Sequence, residues 1–171
     1  MSKAGRLLVV VDYQNDFVCG AAGFAQARAI ETALSEKIDF CKRRGDDILF
    51  TLDTHFDEKY RQEAHQRGWE PYGRVRDALT PQTMRMSKHT YASPDMLLLL
   101  LEKQYDTIEL TGVETHICVL ANAVLARISL PEAEIRVDAG CVAASDPKLH
   151  EKALDIMEGL DIKVINRRLL P

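Results

Sequence analysis

Hydrophobic and polar positions along this chain switch repeatedly between two periods. Residues 6–12, "RLLVVVD", form an unbroken apolar run closed by a carboxylate, the pattern of a buried parallel strand. From Ala25 to Arg44 the apolar residues Ala27, Ile30, Leu34, Ile38 and Cys41 follow helical spacing, and Gly45 ends the run. "DILFTLD" (47–53) predicts a second strand, and residues 54–82 read as a long irregular loop of a kind that tends to carry function in a compact domain. A short strand near "MRMSK" and a helix from Pro94 to about Gln104 come next. "TIELTGV" (107–113) predicts a strand, and "ETHICVLANAVLARISL" a helix with Ile117, Leu120, Val124 and Ile128 on one face. "AEIRVDA" (133–139), a helix opened by Pro147 and a last strand in "DIKVIN" complete the pattern. Strand–helix alternation of this kind predicts an α/β domain with a largely parallel sheet covered by helices on both faces.

Composition narrows the function classes. A chain of 171 residues, 46% hydrophobic and 28% charged, is that of one ordinary globular domain, 1–171. The net charge of −4 and the lack of a Lys/Arg cluster argue against nucleic acid as a partner. The runs "LLVVV" and "MLLLLL" are too short for a signal-peptide core or a membrane span, which points to a cytoplasmic protein without a membrane partner. Cys19, Cys41, Cys118 and Cys141 are scattered, without a C-x-x-C pair, so neither a disulfide framework nor a zinc ribbon is indicated.

Four chemically capable residues fall at the carboxyl ends of predicted strands, where ligands bind in open α/β sheets. Asp12 ends the first strand, Asp53 the second, Lys88 follows the third and Cys118 lies just past the fourth. Each has an ordinary structural explanation: a turn or cap for the Asp residues, solvent for the Lys, packing for the Cys. Together they suit acyl transfer. A thiol attacks as the thiolate, which a neighbouring ammonium and a helix's first turn both favour. Asp12 could take the thiol proton and return it to a leaving amine. Backbone N–H groups at the turn into the 114–128 helix would face the oxyanion.

"VVVDYQNDF", "LDTH", "SKHTYAS" and "LTGVETHICV", in this order, resemble the isochorismatase-like cysteine hydrolase superfamily, and most of all its nicotinamidase-type amidases. The resemblance runs from about Leu7 to Asn166. It implies a three-layer α/β/α, Rossmann-like fold with a mostly parallel six-stranded sheet. It also implies a catalytic triad of Asp12, Lys88 and Cys118, and a cis peptide before Glu114. The N–H groups of Glu114 and Cys118 would form the oxyanion hole. By the same resemblance Asp53 and His55 bind a divalent metal, zinc or else iron or manganese, with a third ligand from the following loop. That loop lacks the family's usual "H-C-x-x-G-T" segment and reads "EAHQRGWEPYG". His65, which precedes "GWE", is the best stand-in, with Glu63 as a further possibility. Phe17, Trp69 and Tyr91 are candidates for a slot around a flat ring. Cys19 lies near the pocket in sequence, Cys41 and Cys141 read as structural, and His150 as a surface residue of an amphipathic helix.

The implied activity is hydrolysis of nicotinamide, or a related heteroaromatic amide, to the acid and ammonia through a thioester. Two alternatives stay open. One is a metal-independent relative acting on a ureido, carbamoyl or other small amide. The other is a non-catalytic small-molecule binder. The family's habit of assembling through loops and helices implies a homo-oligomer.

Overall fold

The structure is a computed structural model that describes residues 5–54 and 67–167. His55, Glu63 and His65 lie outside the described residues. Six strands form one sheet in the order β3-β2-β1-β4-β5-β6, and every pairing is parallel. The strands are β1 (Arg6–Val11), β2 (Asp47–Asp53), β3 (Met84–Lys88), β4 (Thr107–Val113), β5 (Glu134–Ala143) and β6 (Lys163–Ile165).

Alternation along β1 shows why both faces must be covered. Leu7, Val9 and Val11 enter one core, which α5 (Pro94–Lys103), α6 (Leu120–Ser129) and α7 (Pro147–Gly159) close with Leu100, Ala123 and Leu154. Leu8 and Val10 enter the other core, closed by Ala27 of α2 (Ala25–Ala29), Leu34 and Ile38 of α3 (Glu31–Arg44) and Val75 of α4 (Gly73–Ala78). A short α1 (Asn15–Val18) follows β1 directly. No helix among the described residues is long and apolar enough to cross a membrane.

Three departures from the sequence pattern have physical causes. The single helix expected over 25–44 breaks at Ile30, which closes α2 and opens α3 with ψ near −5°. The 54–82 stretch is not irregular throughout, because α4 packs Val75 and Ala78 into the core. Ile128 does not share a packed face with its helical neighbours: it is 69% exposed. Asn122, Ala123 and Ala126 point inward instead, and their small size lets α6 lie close on the sheet.

Two features of the chain set up the edge where ligands bind. The strand order reverses around β1, so the carboxyl ends of β1 and β4 flank the switch point. Gly112 has φ +103°, and a Cβ there would stand 2.1 Å from the Val11 carbonyl oxygen. Only glycine lets the end of β4 approach β1 this closely.

Candidate active site

Asp12, the residue after β1, turns out of the strand with φ 48°, a left-handed conformation that Asp tolerates better than most side chains. The turn aims its carboxylate at the end of β2. There the Thr51 hydroxyl donates to Asp12 Oδ1 at 2.7 Å, and the same hydroxyl accepts from the Asp12 backbone N–H at 3.2 Å. The second carboxylate oxygen, Oδ2, lies 2.7 Å from Lys88 Nζ, and both side chains are almost wholly buried.

Lys88 closes β3 opposite Asp53 in the parallel register. Its ammonium also reaches Asp53 Oδ1 at 3.2 Å, the Thr90 carbonyl at 3.1 Å and Cys118 Sγ at 3.4 Å. Cys118 sits in a π-helical turn, Thr115–Val119, that runs straight into α6. The peptide bond entering this turn, Val113–Glu114, is cis. The Glu114 carboxylate accepts from the Ser145 N–H and hydroxyl, both at 2.7 Å, which ties the turn to the start of α7.

These groups floor a cavity of about 400 Å³. Asp12, Asp53, Glu114 and Cys118 line it, together with Phe17, Tyr91, Val113 and Ile117. The cavity thus joins titratable groups at the sheet edge to apolar and aromatic walls, the composition of a small-molecule site.

The electrostatics refine the sequence expectation. Burial and the nearby Asp12 carboxylate push the Cys118 thiol up to about 12, and Lys88 offsets only part of this. Both effects favour the protonated thiol, so any attack by this sulfur would need an acceptor for its proton. Burial also raises Asp12 above an ordinary aspartate, against the pull of Lys88 and Thr51. Burial disfavours the Lys88 ammonium, yet Asp12, Cys118 and Asp53 together hold it protonated beyond its usual range. Lys88 is thus a firm cation in reach of two carboxylates, Asp12 and Asp53, and of the Cys118 thiol.

The ring candidates separate. Phe17 and Tyr91 line the cavity. Trp69 packs against the core under α1–α4, and its indole N–H donates to the Thr54 hydroxyl at 2.9 Å. Cys19 is exposed and Cys41 and Cys141 are buried. His150 departs from the surface role read from its helix: its Nδ1 lies 2.9 Å from the buried Thr115 hydroxyl, against the π-turn. His89 Nδ1 lies 2.8 Å from the Thr54 carbonyl.

Asp53 is the described member of the expected metal set, and it lines the cavity. Among the described residues no three His, Cys, Asp or Glu side chains stand together as a metal site. The other two residues expected as ligands, His55 and His65, lie outside the described residues.

Sequence reading missed three supporting residues. Thr51 orients Asp12. Asn122 donates to the Cys118 and Tyr91 carbonyls. Gln14, only 1% exposed, accepts from the Asp53 N–H at 2.8 Å and donates to the Asp53 and Trp69 carbonyls. The place of Gln14 in "VVVDYQNDF", three residues past the buried strand end, was the available signal for it; Thr51 and Asn122 carried none. Gln14→Leu is expected to destabilise the protein by about 2–4 kcal/mol, because it strips partners from buried backbone groups. Urea unfolding measures this, and a loss under about 0.5 kcal/mol would show that the three contacts are dispensable.

The isochorismatase domain family matches residues 6–167. An uncharacterized isochorismatase family protein, PncA, of Bacillus subtilis (strain 168) is 31% identical over 149 residues, covering 72% of this chain and 78% of that protein. The crystal structure of nicotinamidase/pyrazinamidase PncA from Bacillus subtilis superimposes with a TM-score of 0.82 at 28% identity, covering 94% of this chain and 98% of that one. The pyrazinamidase of Pyrococcus horikoshii, crystallised in complex with zinc, gives a TM-score of 0.83 at 24% identity, covering 95% of this chain and 99% of that one. At that identity the second likeness bears on the fold alone.

Proposed function

The chain belongs to the isochorismatase family, and from that premise we propose that it is a cysteine amidohydrolase that converts nicotinamide, or a related heteroaromatic amide, to the acid and ammonia. The observation that carries this reading is the meeting of three elements at Lys88, whose Nζ lies 2.7 Å from Asp12 Oδ2 and 3.4 Å from Cys118 Sγ at the cavity floor.

The steps follow from the protonation states. Asp12 takes the Cys118 proton as sulfur attacks the amide carbon. The backbone N–H groups of Glu114 and Cys118 receive the oxyanion. When the C–N bond breaks, Asp12 passes its proton to the leaving nitrogen, releasing ammonia and leaving a thioester on Cys118. Water then attacks the thioester carbon and gives up its proton to Asp12. The C–S bond breaks, the acid departs, and Asp12 returns the proton to sulfur. Lys88 stays charged throughout. It keeps Asp12 aligned and stabilises the sulfur anion at each bond exchange.

Asp53, His55 and His65 are the residues that would hold a divalent metal, and one carboxylate with two imidazoles is a donor set suited to zinc, iron or manganese. When bound, the ion supplies a Lewis-acid anchor for the ring nitrogen of the substrate. The expected metal content of the purified protein is about one ion per chain, falling in Asp53→Asn and His65→Ala. Elemental analysis reads this without reference to activity. Unchanged content in both variants would remove these ligands from the proposal.

Ammonia release from nicotinamide tests the function itself. Release that vanishes in Cys118→Ala is the expected result. A folded protein that releases none from nicotinamide but hydrolyses a ureido or carbamoyl compound would move the assignment to the metal-independent alternative. Exposed Leu98 and Leu101 of α5 and Ile128 of the adjoining α6 offer a homo-oligomer an apolar contact surface.

A further inference from the structure

We infer that Asn122 is a positioning residue that fixes the Lys88–Cys118 separation by bridging the nucleophile's turn to the opposite cavity wall. Asn122 lies in α6, one turn beyond Cys118, and is fully buried. Its side-chain Nδ2 donates to the Cys118 carbonyl at 2.7 Å and to the Tyr91 carbonyl at 3.0 Å. Both partners only accept, so the amide must present its NH2 group to them. Its Oδ1 meets no protein donor among the described residues, so all of its hydrogen bonding is on the donor side.

The two bonds complete a closed circuit. Lys88 Nζ holds the Thr90 carbonyl at 3.1 Å, and the chain runs from Thr90 to Tyr91. The Tyr91 carbonyl is joined by Asn122 to the Cys118 backbone, and Cys118 Sγ returns to Lys88 Nζ at 3.4 Å. Lys88 and Cys118 come from separate elements, β3 and the π-turn after β4. Within this circuit the Asn122 amide is the tie between those two backbones. A displacement of about 1 Å between reacting groups is enough to cost on the order of a hundredfold in rate.

The inference rests on the reading of Cys118 as nucleophile, but its test does not need the substrate. Asn122→Ala loses both donors. Asn122→Ser keeps one, since a helical serine hydroxyl donates to the carbonyl four residues back, here that of Cys118, and cannot also bridge to Tyr91. Iodoacetamide alkylation of Cys118 is followed by peptide mass, which separates it from exposed Cys19, alongside kcat and KM for ammonia release. Thermal unfolding checks that each variant is folded, and the Ser variant carries the test if Ala is not. Both variants are expected to alkylate about tenfold more slowly and to lose a similar factor in kcat, with KM within about twofold. Wild-type alkylation in Asn122→Ser would overturn the proposal, because satisfying the Cys118 carbonyl would then suffice. Unchanged alkylation in both would overturn it as well. If the wild-type protein releases no ammonia from nicotinamide, the substrate assignment fails, and the alkylation rates still decide the role of Asn122.

Discussion

Cys118→Ala abolishes amide hydrolysis, with an expected loss of at least about a thousandfold, and leaves the fold intact to within about 1 kcal/mol. The activity effect is large because, among the described residues, no other cavity-lining side chain offers a thiol to the amide carbon. The stability effect is small because Cys118 is only partly buried and its thiol sits among groups that disfavour its charge. Cys118→Ser is expected to fail almost as completely, since a hydroxyl is harder for Asp12 to deprotonate than a thiol. The pH dependence has a definite sign. Burial raises Asp12 above the ordinary 3.8 of an aspartate, so the base protonates early as pH falls. The acid limb of kcat/KM therefore lies above about pH 4. Ammonia release across pH, with calorimetry on both variants, checks each part. A Cys118→Ala enzyme retaining a tenth of its activity would not fit the scheme.

Lys88→Met is expected to cost on the order of a hundred- to ten-thousandfold in kcat and about 3–5 kcal/mol in stability. Lys88 is 2% exposed and neutralises Asp12, which is 1% exposed. Removal of the ammonium leaves a buried carboxylate with the Thr51 hydroxyl and the Cys118 thiol beside it but no cation to neutralise it. Asp12→Asn alone is expected to be similarly inactive, because an amide cannot accept the thiol proton. The double variant discriminates. With both charges gone the desolvation penalty goes with them, so Asp12→Asn/Lys88→Met regains most of the stability lost in Lys88→Met while remaining inactive. Urea unfolding of the four proteins gives the coupling energy. Additive losses in stability would show that the 2.7 Å contact is not a tight buried pair.

The placement of Asp12, Asp53 and Cys118 on one sheet edge could be read from sequence because each ends or follows a mainly apolar strand, whereas Lys88 closes the short, half-exposed β3 and was placed there by the order of the motifs. The six strands and the cis peptide before Glu114 agree with what the motifs implied. What sequence left unread depends on pairs distant along the chain. Thr51 looks like any strand threonine until β1 and β2 lie side by side, and Asn122 like any helix residue until Tyr91 meets it. The hydrogen bond from the Trp69 indole to the Thr54 hydroxyl likewise joins residues fifteen apart in the chain. Lys88 favours the Cys118 anion as its place in the sequence suggested, but burial and Asp12 push the thiol the other way, which leaves a proton for Asp12 to take. Neither depth of burial nor the sum of neighbouring charges can be read from a motif.

The central claim is that amide cleavage passes through an acyl group on Cys118. Acid quenching in the first turnovers with nicotinamide, followed by mass analysis of the Cys118 peptide, tests it most directly. The account predicts a transient mass increase equal to the nicotinoyl group, confined to that peptide and absent in Cys118→Ala. Ammonia released at the wild-type rate by Cys118→Ala, with no adduct on either protein, would contradict it.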